Sequence, residues 1–207
     1  MTRKALTLKA LPPVLLLAVP LAAAPRSYKV DGAKSQVAIE VGRAGLFKIA
    51  GHEHQVAAQQ VTGDVVADPD DLAASSVELV FAAAGLVVLG KDDPDDRPKV
   101  LEAMASPKVL DVARFPEIRF SSRSVKGRKA ADQAFELTVD GALELHGVTK
   151  ALSLPVRVTL AGDELVAEAR VVLRQRDFGI EPVSVGGVVK VKDELAISCR
   201  FVAHAAP

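Results

Sequence analysis

The stretch FELTVDGALELHGVTKALSLPVRVTL, residues 135–160, decides the fold. Phe135, Leu137, Val139, Leu143 and Leu145 share one phase against Glu136, Thr138, Asp140 and Glu144. Leu152, Leu154, Val156, Val158 and Leu160 then share a second, against Ser153, Arg157 and Thr159. A period of two is that of a strand with one buried face. Gly141 keeps the phase while letting the strand bend. His146, Gly147 and Val148 separate the two runs, so the pair predicts a β-hairpin.

The same alternation extends in both directions. Downstream, residues 164–174 place Leu165, Ala167, Ala169, Val171 and Leu173 in one phase, and residues 188–202 do the same with Val189, Val191, Leu195, Ile197, Cys199 and Phe201. Upstream, Val37, Ile39 and Val41 alternate with polar or small neighbours. Residues 55–67 and 76–82 add two more candidate strands, and 115–125 carries Ile118 and Phe120 on one face. Only Asp95–Ala105 breaks the pattern: it follows Pro94, is acidic at its start and spaces Val100, Leu101 and Met104 as a short helix does. About eight or nine strands with one apolar face each must meet in a sandwich or a closed barrel, and alternation does not separate the two. A barrel of about eight strands has room for a small apolar cavity. Its expected lining is Ile39, Phe81, Phe120, Leu137, Val139, Val156, Val171 and Ile197, aliphatic with some Phe, which suits a hydrocarbon chain better than a flat polar ligand.

The chain has 207 residues, enough for one domain with a sizeable core. Residues 1–24 read as an export signal: Arg3 and Lys4 open it, an apolar run spans Leu11 to Leu21, and Ala22, Ala23 and Ala24 offer small residues for cleavage. Pro12, Pro13 and Pro20 and the shortness of the run argue against a spanning helix. The domain is then 25–207, expected in the periplasm or secreted, with no stable membrane insertion after signal removal. Lys plus Arg and Asp plus Glu both number 26, so no net field favours nucleic acid. No Trp and one Tyr disfavour stacking on bases or sugars. The single cysteine, Cys199, excludes an intrachain disulfide and falls on the apolar phase of its strand, where a buried small hydrophobe belongs. A homodimer is compatible with an exposed barrel mouth or edge.

Chemistry-bearing patterns are few. Gly51-His52-Glu53-His54 sets two histidines at i and i+2, on one side of an extended backbone, and His146 in the hairpin turn is a possible third metal ligand. This metal-dependent reading stands as an alternative, although no HExxH pattern is present. The acidic run Asp92, Asp93, Asp95 and Asp96 lacks the spacing of a Ca²⁺ loop and reads as a solvated helix entrance. No Gly-x-Ser-x-Gly elbow and no phosphate-binding glycine loop occur, so the chain reads as a binding module rather than an enzyme, with no cofactor. In Gln175-Arg176-Asp177-Phe178-Gly179-Ile180, Phe178 is placed to plug an end of the core, and Arg176 to hold the polar head of an amphipathic ligand from the rim.

Four motifs, in this order and spacing, resemble the YceI-like family of lipid- and polyisoprenoid-binding proteins: Tyr28-Lys29-Val30-Asp31, Phe115-Pro116-Glu117-Ile118-Arg119-Phe120-Ser121-Ser122, Gly141 to Lys150, and Arg176-Asp177-Phe178-Gly179-Ile180. The resemblance covers Tyr28 to about Ala203. It implies an extended lipocalin-like antiparallel barrel and an isoprenoid, isoprenoid quinone or fatty-acyl ligand that is carried or stored. Two departures accompany it. Lys34-Ser35 stands where the family usually has His-Ser, and Gln175 stands where it has Arg, with Arg176 one place later. On a strand that shift turns a side chain to the other face. An envelope structural protein with a filled core is the remaining alternative.

Overall fold

The computed structural model describes residues 24–44, 54–89, 97–185 and 189–206. In chain order the strands are β1 (Arg26–Val30), β2 (Gln36–Ala44), β3 (His54–Ala58), β4 (Val61–Ala67), β5 (Ser76–Ala82) and β6 (Leu86–Leu89). The helix α1 (Arg97–Ala105) follows. Then come β7 (Glu117–Ala131), β8 (Ala134–Leu145), β9 (Val148–Ala161), β10 (Glu164–Arg174), the two-residue β11 (Ser184–Val185) and β12 (Val189–Ala205). Residues 1–23 of the expected export signal and the acidic run at 92–96 lie outside the described residues.

Eight strands close on themselves in the order β1-β4-β5-β7-β8-β9-β10-β12, with every neighbouring pair antiparallel. Closure comes from β12, which is long enough to serve two partners. Its C-terminal end pairs with β1, Tyr28 opposite Ala205, and its earlier part pairs with β2, Ile197 opposite Ile39. From β2 the sheet continues to β3 and β6, a three-strand extension on which α1 packs through its β6 contact. The chain is therefore an extended antiparallel barrel, and the choice between sandwich and barrel is settled for the barrel. At the seam, the buried Ser35 hydroxyl donates to Asp31 O (2.8 Å) and accepts from Val202 N–H (3.1 Å), which ties the turn after β1 to β12.

The β8–β9 hairpin forms as its alternation requires, in register from Ala134–Thr159 to Leu145–Val148. His146 and Gly147 both take positive φ, +53° and +73°, the two-residue turn that matches strand twist. Gly141 serves packing: a Cβ there would stand 2.6 Å from the Phe120 ring, so its absence lets Phe120 lie across β8.

The 55–67 run departs from expectation. It is two strands, with Gln59 and Gln60 making a corner between them. Gln59 N–H donates to Gly85 O and Gln60 O accepts from Ala82 N–H, so the backbone groups that leave one ladder are satisfied by the β5–β6 connection. The corner moves the chain from the extension (β3) into the barrel (β4).

Candidate functional site

The barrel interior is not packed solid. A cavity of about 740 Å³ runs through it, within the size range of small-molecule sites. Alternation sets its walls: β8 contributes Leu137, Val139 and Leu143; β9 contributes Leu152, Leu154, Val156 and Val158; β10 contributes Leu165, Ala167, Ala169, Val171 and Leu173. The extension and α1 complete the wall with Ile39, Val56, Val100 and Met104. All eight strand positions named from alternation, Ile39, Phe81, Phe120, Leu137, Val139, Val156, Val171 and Ile197, lie in this lining, and so does Phe178.

Among the described residues, charged and amide side chains reach the lining at two places. One holds Asp68, Ser75 and Ser76, at the connection between β4 and β5. The other holds Arg174 and Gln175 at the end of β10, and α1 adds Lys99 to the lining. Gln175 is buried and its amide donates to Lys192 O (2.8 Å), while Arg174 is exposed and pairs with Glu194 (3.4 Å). Between the two places the surface is hydrocarbon apart from Cys199. Burial pushes the Cys199 thiol up to about 11, so it stays a neutral part of the wall.

Arg176 is not where the sequence reading placed it. β10 ends at Arg174 and the chain turns into a 3₁₀ segment, Gln175–Phe178, so alternation no longer says which way a side chain points. Arg176 turns outward, pairing with Glu181 (3.4 Å), and is absent from the lining; Arg174 and Gln175 are present instead. Phe178 does turn inward, 2% exposed, and forms the floor with Ile180.

That floor joins three of the sequence motifs. His146 Nδ1–H donates to Phe178 O (3.2 Å), and the Phe115 ring meets the His146 imidazole edge-on at 5.2 Å between centroids. Gly147 belongs here because a Cβ would stand 2.5 Å from the Phe115 ring. His146 is thus occupied in holding the plug. Of its suggested metal partners, His52 lies outside the described residues and His54 opens β3 opposite Val41. Among the described residues no group of three or more metal-ligating side chains gathers.

On the outer face, Asp140 accepts from Ser153 Oγ (2.7 Å) and Ser124 Oγ (3.1 Å), which hold its carboxyl below the usual range. These bonds knit β7, β8 and β9 together and do not reach the cavity lining.

The YceI-like domain model matches residues 28–203, all but the outermost residues of the barrel strands β1 and β12. The chain belongs to the YceI-like family. Two UPF0312 proteins of Vibrio vulnificus, from strains YJ016 and CMCP6, are each 28% identical to this YceI-like chain over 152 residues, 72% of either length. Among solved structures, Burkholderia cenocepacia BcnA superposes with a TM-score of 0.65 at 20% identity, covering 84% of this chain and 98% of its own. A polyisoprenoid-binding domain from Saccharophagus degradans, implicated in plant cell wall breakdown, gives 0.65 at 12%, covering 87% and 99%. The Campylobacter jejuni YceI protein gives 0.56 at 11%, covering 73% and 84%. At these identities the structural likeness concerns the fold.

Sequence reasoning missed Leu72, Lys99 and Arg174 as lining residues. Leu72 sits in a loop and Lys99 on a helix, where a period of two carries no information. Arg174 sits at a strand's last residue, in the outward phase.

Proposed function

We propose that this YceI-like protein is an exported binding protein that carries or stores a long-chain apolar or amphipathic ligand: a polyisoprenoid, an isoprenoid quinone or a fatty-acyl lipid. One observation carries the reading, the 740 Å³ cavity whose walls are almost wholly aliphatic and phenyl between two small polar ends. Burying hydrocarbon there returns about 0.8 kcal/mol per methylene, so a long chain gains more than a compact polar solute could. The name of the Saccharophagus domain, polyisoprenoid-binding, supports the same class of ligand. The polar head rests by Arg174 and Gln175, where a guanidinium and an amide meet the apolar space, and the tail runs toward Leu165. The basic, apolar and small-residue order of residues 1–24 supports delivery to the periplasm or beyond. Because the lining is hydrocarbon, the role is binding rather than chemistry on the ligand.

The test is extraction of protein purified from its own envelope fraction, with bound molecules identified by mass spectrometry and metal measured on the same sample. A stoichiometric long-chain lipid is expected. A protein that carries stoichiometric metal and no lipid would sink the reading in favour of the histidines. In parallel, Phe120→Asp and Val156→Asp should each abolish uptake of a long-chain lipid; uptake retained by a folded variant removes that residue from the site.

A further inference from the structure

We infer that Leu72, carried on the 68–75 loop, is the stop that sets how long a hydrocarbon chain the cavity accepts. The inference rests on the binding reading above and adds a specificity determinant to it.

Between β5 and β7 the wall of the barrel is incomplete as a sheet. β5 and β7 pair only from Ala82–Glu117 to Glu78–Ser121, after which Val77 N–H donates to the Ser122 side chain (2.9 Å) instead of to a strand carbonyl. β7 bulges between Ser122 and Ser124 and then continues to Ala131 with β8 as its partner on one side. No described residue pairs with its other edge there. The space is filled by the β4–β5 loop, whose 3₁₀ turn, Leu72–Ala74, packs against β7. Pro69 and the half-buried Leu72 face the cavity from this loop, whereas Ala73 and Ala74 are exposed.

The loop is shaped from within. The Asp68 carboxylate, on a residue only 7% exposed, accepts from the Asp70 and Asp71 amides (3.0 and 2.9 Å). The Asp71 side chain accepts from Ala73 N–H (3.1 Å), and Asp68 N–H donates to Ser75 Oγ (3.0 Å) across the loop's base. Leu72 is therefore held in a fixed position by a loop that keeps its own geometry.

Position along the cavity makes Leu72 a stop and not merely a wall. The loop continues directly from Ala67, which pairs with Arg26; the Arg26 side chain reaches Asp163 in the β9–β10 turn (2.7 Å). This is the Leu165 end of β10, and the Arg174 and Gln175 end lies beyond Leu173, about 26 Å away along the strand. A ligand anchored by its head at the second end brings the end of its tail to Leu72.

The experiment measures Kd for even-numbered saturated fatty acids of increasing length on the full barrel, comparing wild type with Leu72→Ala and Leu72→Trp. In wild type each added methylene should tighten binding about fourfold, until the tail reaches the loop and the gain stops. Leu72→Ala should move that break to chains longer by about two carbons, the reach of side chain it removes, and Leu72→Trp should move it to shorter ones. The two variants shift in opposite directions, so either one suffices if the other fails to fold. A wild-type break that neither variant moves overturns the inference and leaves the binding reading intact. Wild type that binds no member of the series overturns the binding reading itself.

Discussion

The two ends of the barrel are closed by different means. At one, Phe178, His146 and Phe115 interlock, drawing on residues far apart in sequence, and Phe178 is almost fully buried. At the other, a single loop folds on itself and sets one leucine over the space. The first end is made of the motifs that mark the family, and those motifs serve closure. The loop and Arg174 lie outside those motifs.

The largest effect expected from this contrast is at the plug. Phe178→Ala should cost about 3–5 kcal/mol by denaturant unfolding, since a buried phenyl is lost and its neighbours are pinned by the strands. A cost below about 1 kcal/mol would mean that this end collapses easily and is no firmer than the other. A smaller effect is expected from the wall between the ends. The folded protein keeps the Cys199 thiol protonated to about pH 11, whereas the unfolded chain releases it near the ordinary value of 9.0. Unfolding therefore gains a proton release as pH rises through this window, and stability should fall by up to about 2–3 kcal/mol before levelling off. Comparing Cys199→Ala with wild type from pH 8 to 11.5 isolates the effect; parallel curves would show the thiol to be open to water. The smallest effect is at the loop. Ser75→Ala removes the acceptor for Asp68 N–H and should cost about 1 kcal/mol, while speeding ligand release measured by stopped flow. A loss as large as that of Phe178→Ala would erase the distinction between the ends.

Much of this was legible in the chain because a barrel wall is a repeated statement of one rule. Each residue of Leu137, Val139, Val156, Val171 and Ile197 points inward because its neighbours point outward, and alternation records that directly. The reading weakened where the backbone left the strand. Arg176 lies outside the lining because a 3₁₀ turn starts at Gln175, and the 55–67 run hid a corner at Gln59 and Gln60, which have no turn-forming composition. Leu72 had no signal, since a loop residue's direction depends on hydrogen bonds such as those to Asp68, which connect groups without periodic spacing. The barrel rather than the sandwich followed only from β12, whose length of 17 residues lets one strand border both β1 and β2.

That seam also sets an order of events in folding. The strands that close the cylinder, β1 and β12, are the first and last of the sheet, with Tyr28 opposite Ala205. The β7–β8, β8–β9 and β9–β10 hairpins can zip locally, but the ring cannot shut until segments at opposite extremes of the sequence meet, the slow kind of contact to search for. Until then an interior designed for hydrocarbon faces water. A lipid present during folding could enter such an open trough from the side and be enclosed as the last strand docks, so cargo captured at synthesis and cargo taken up by the finished barrel need not be the same.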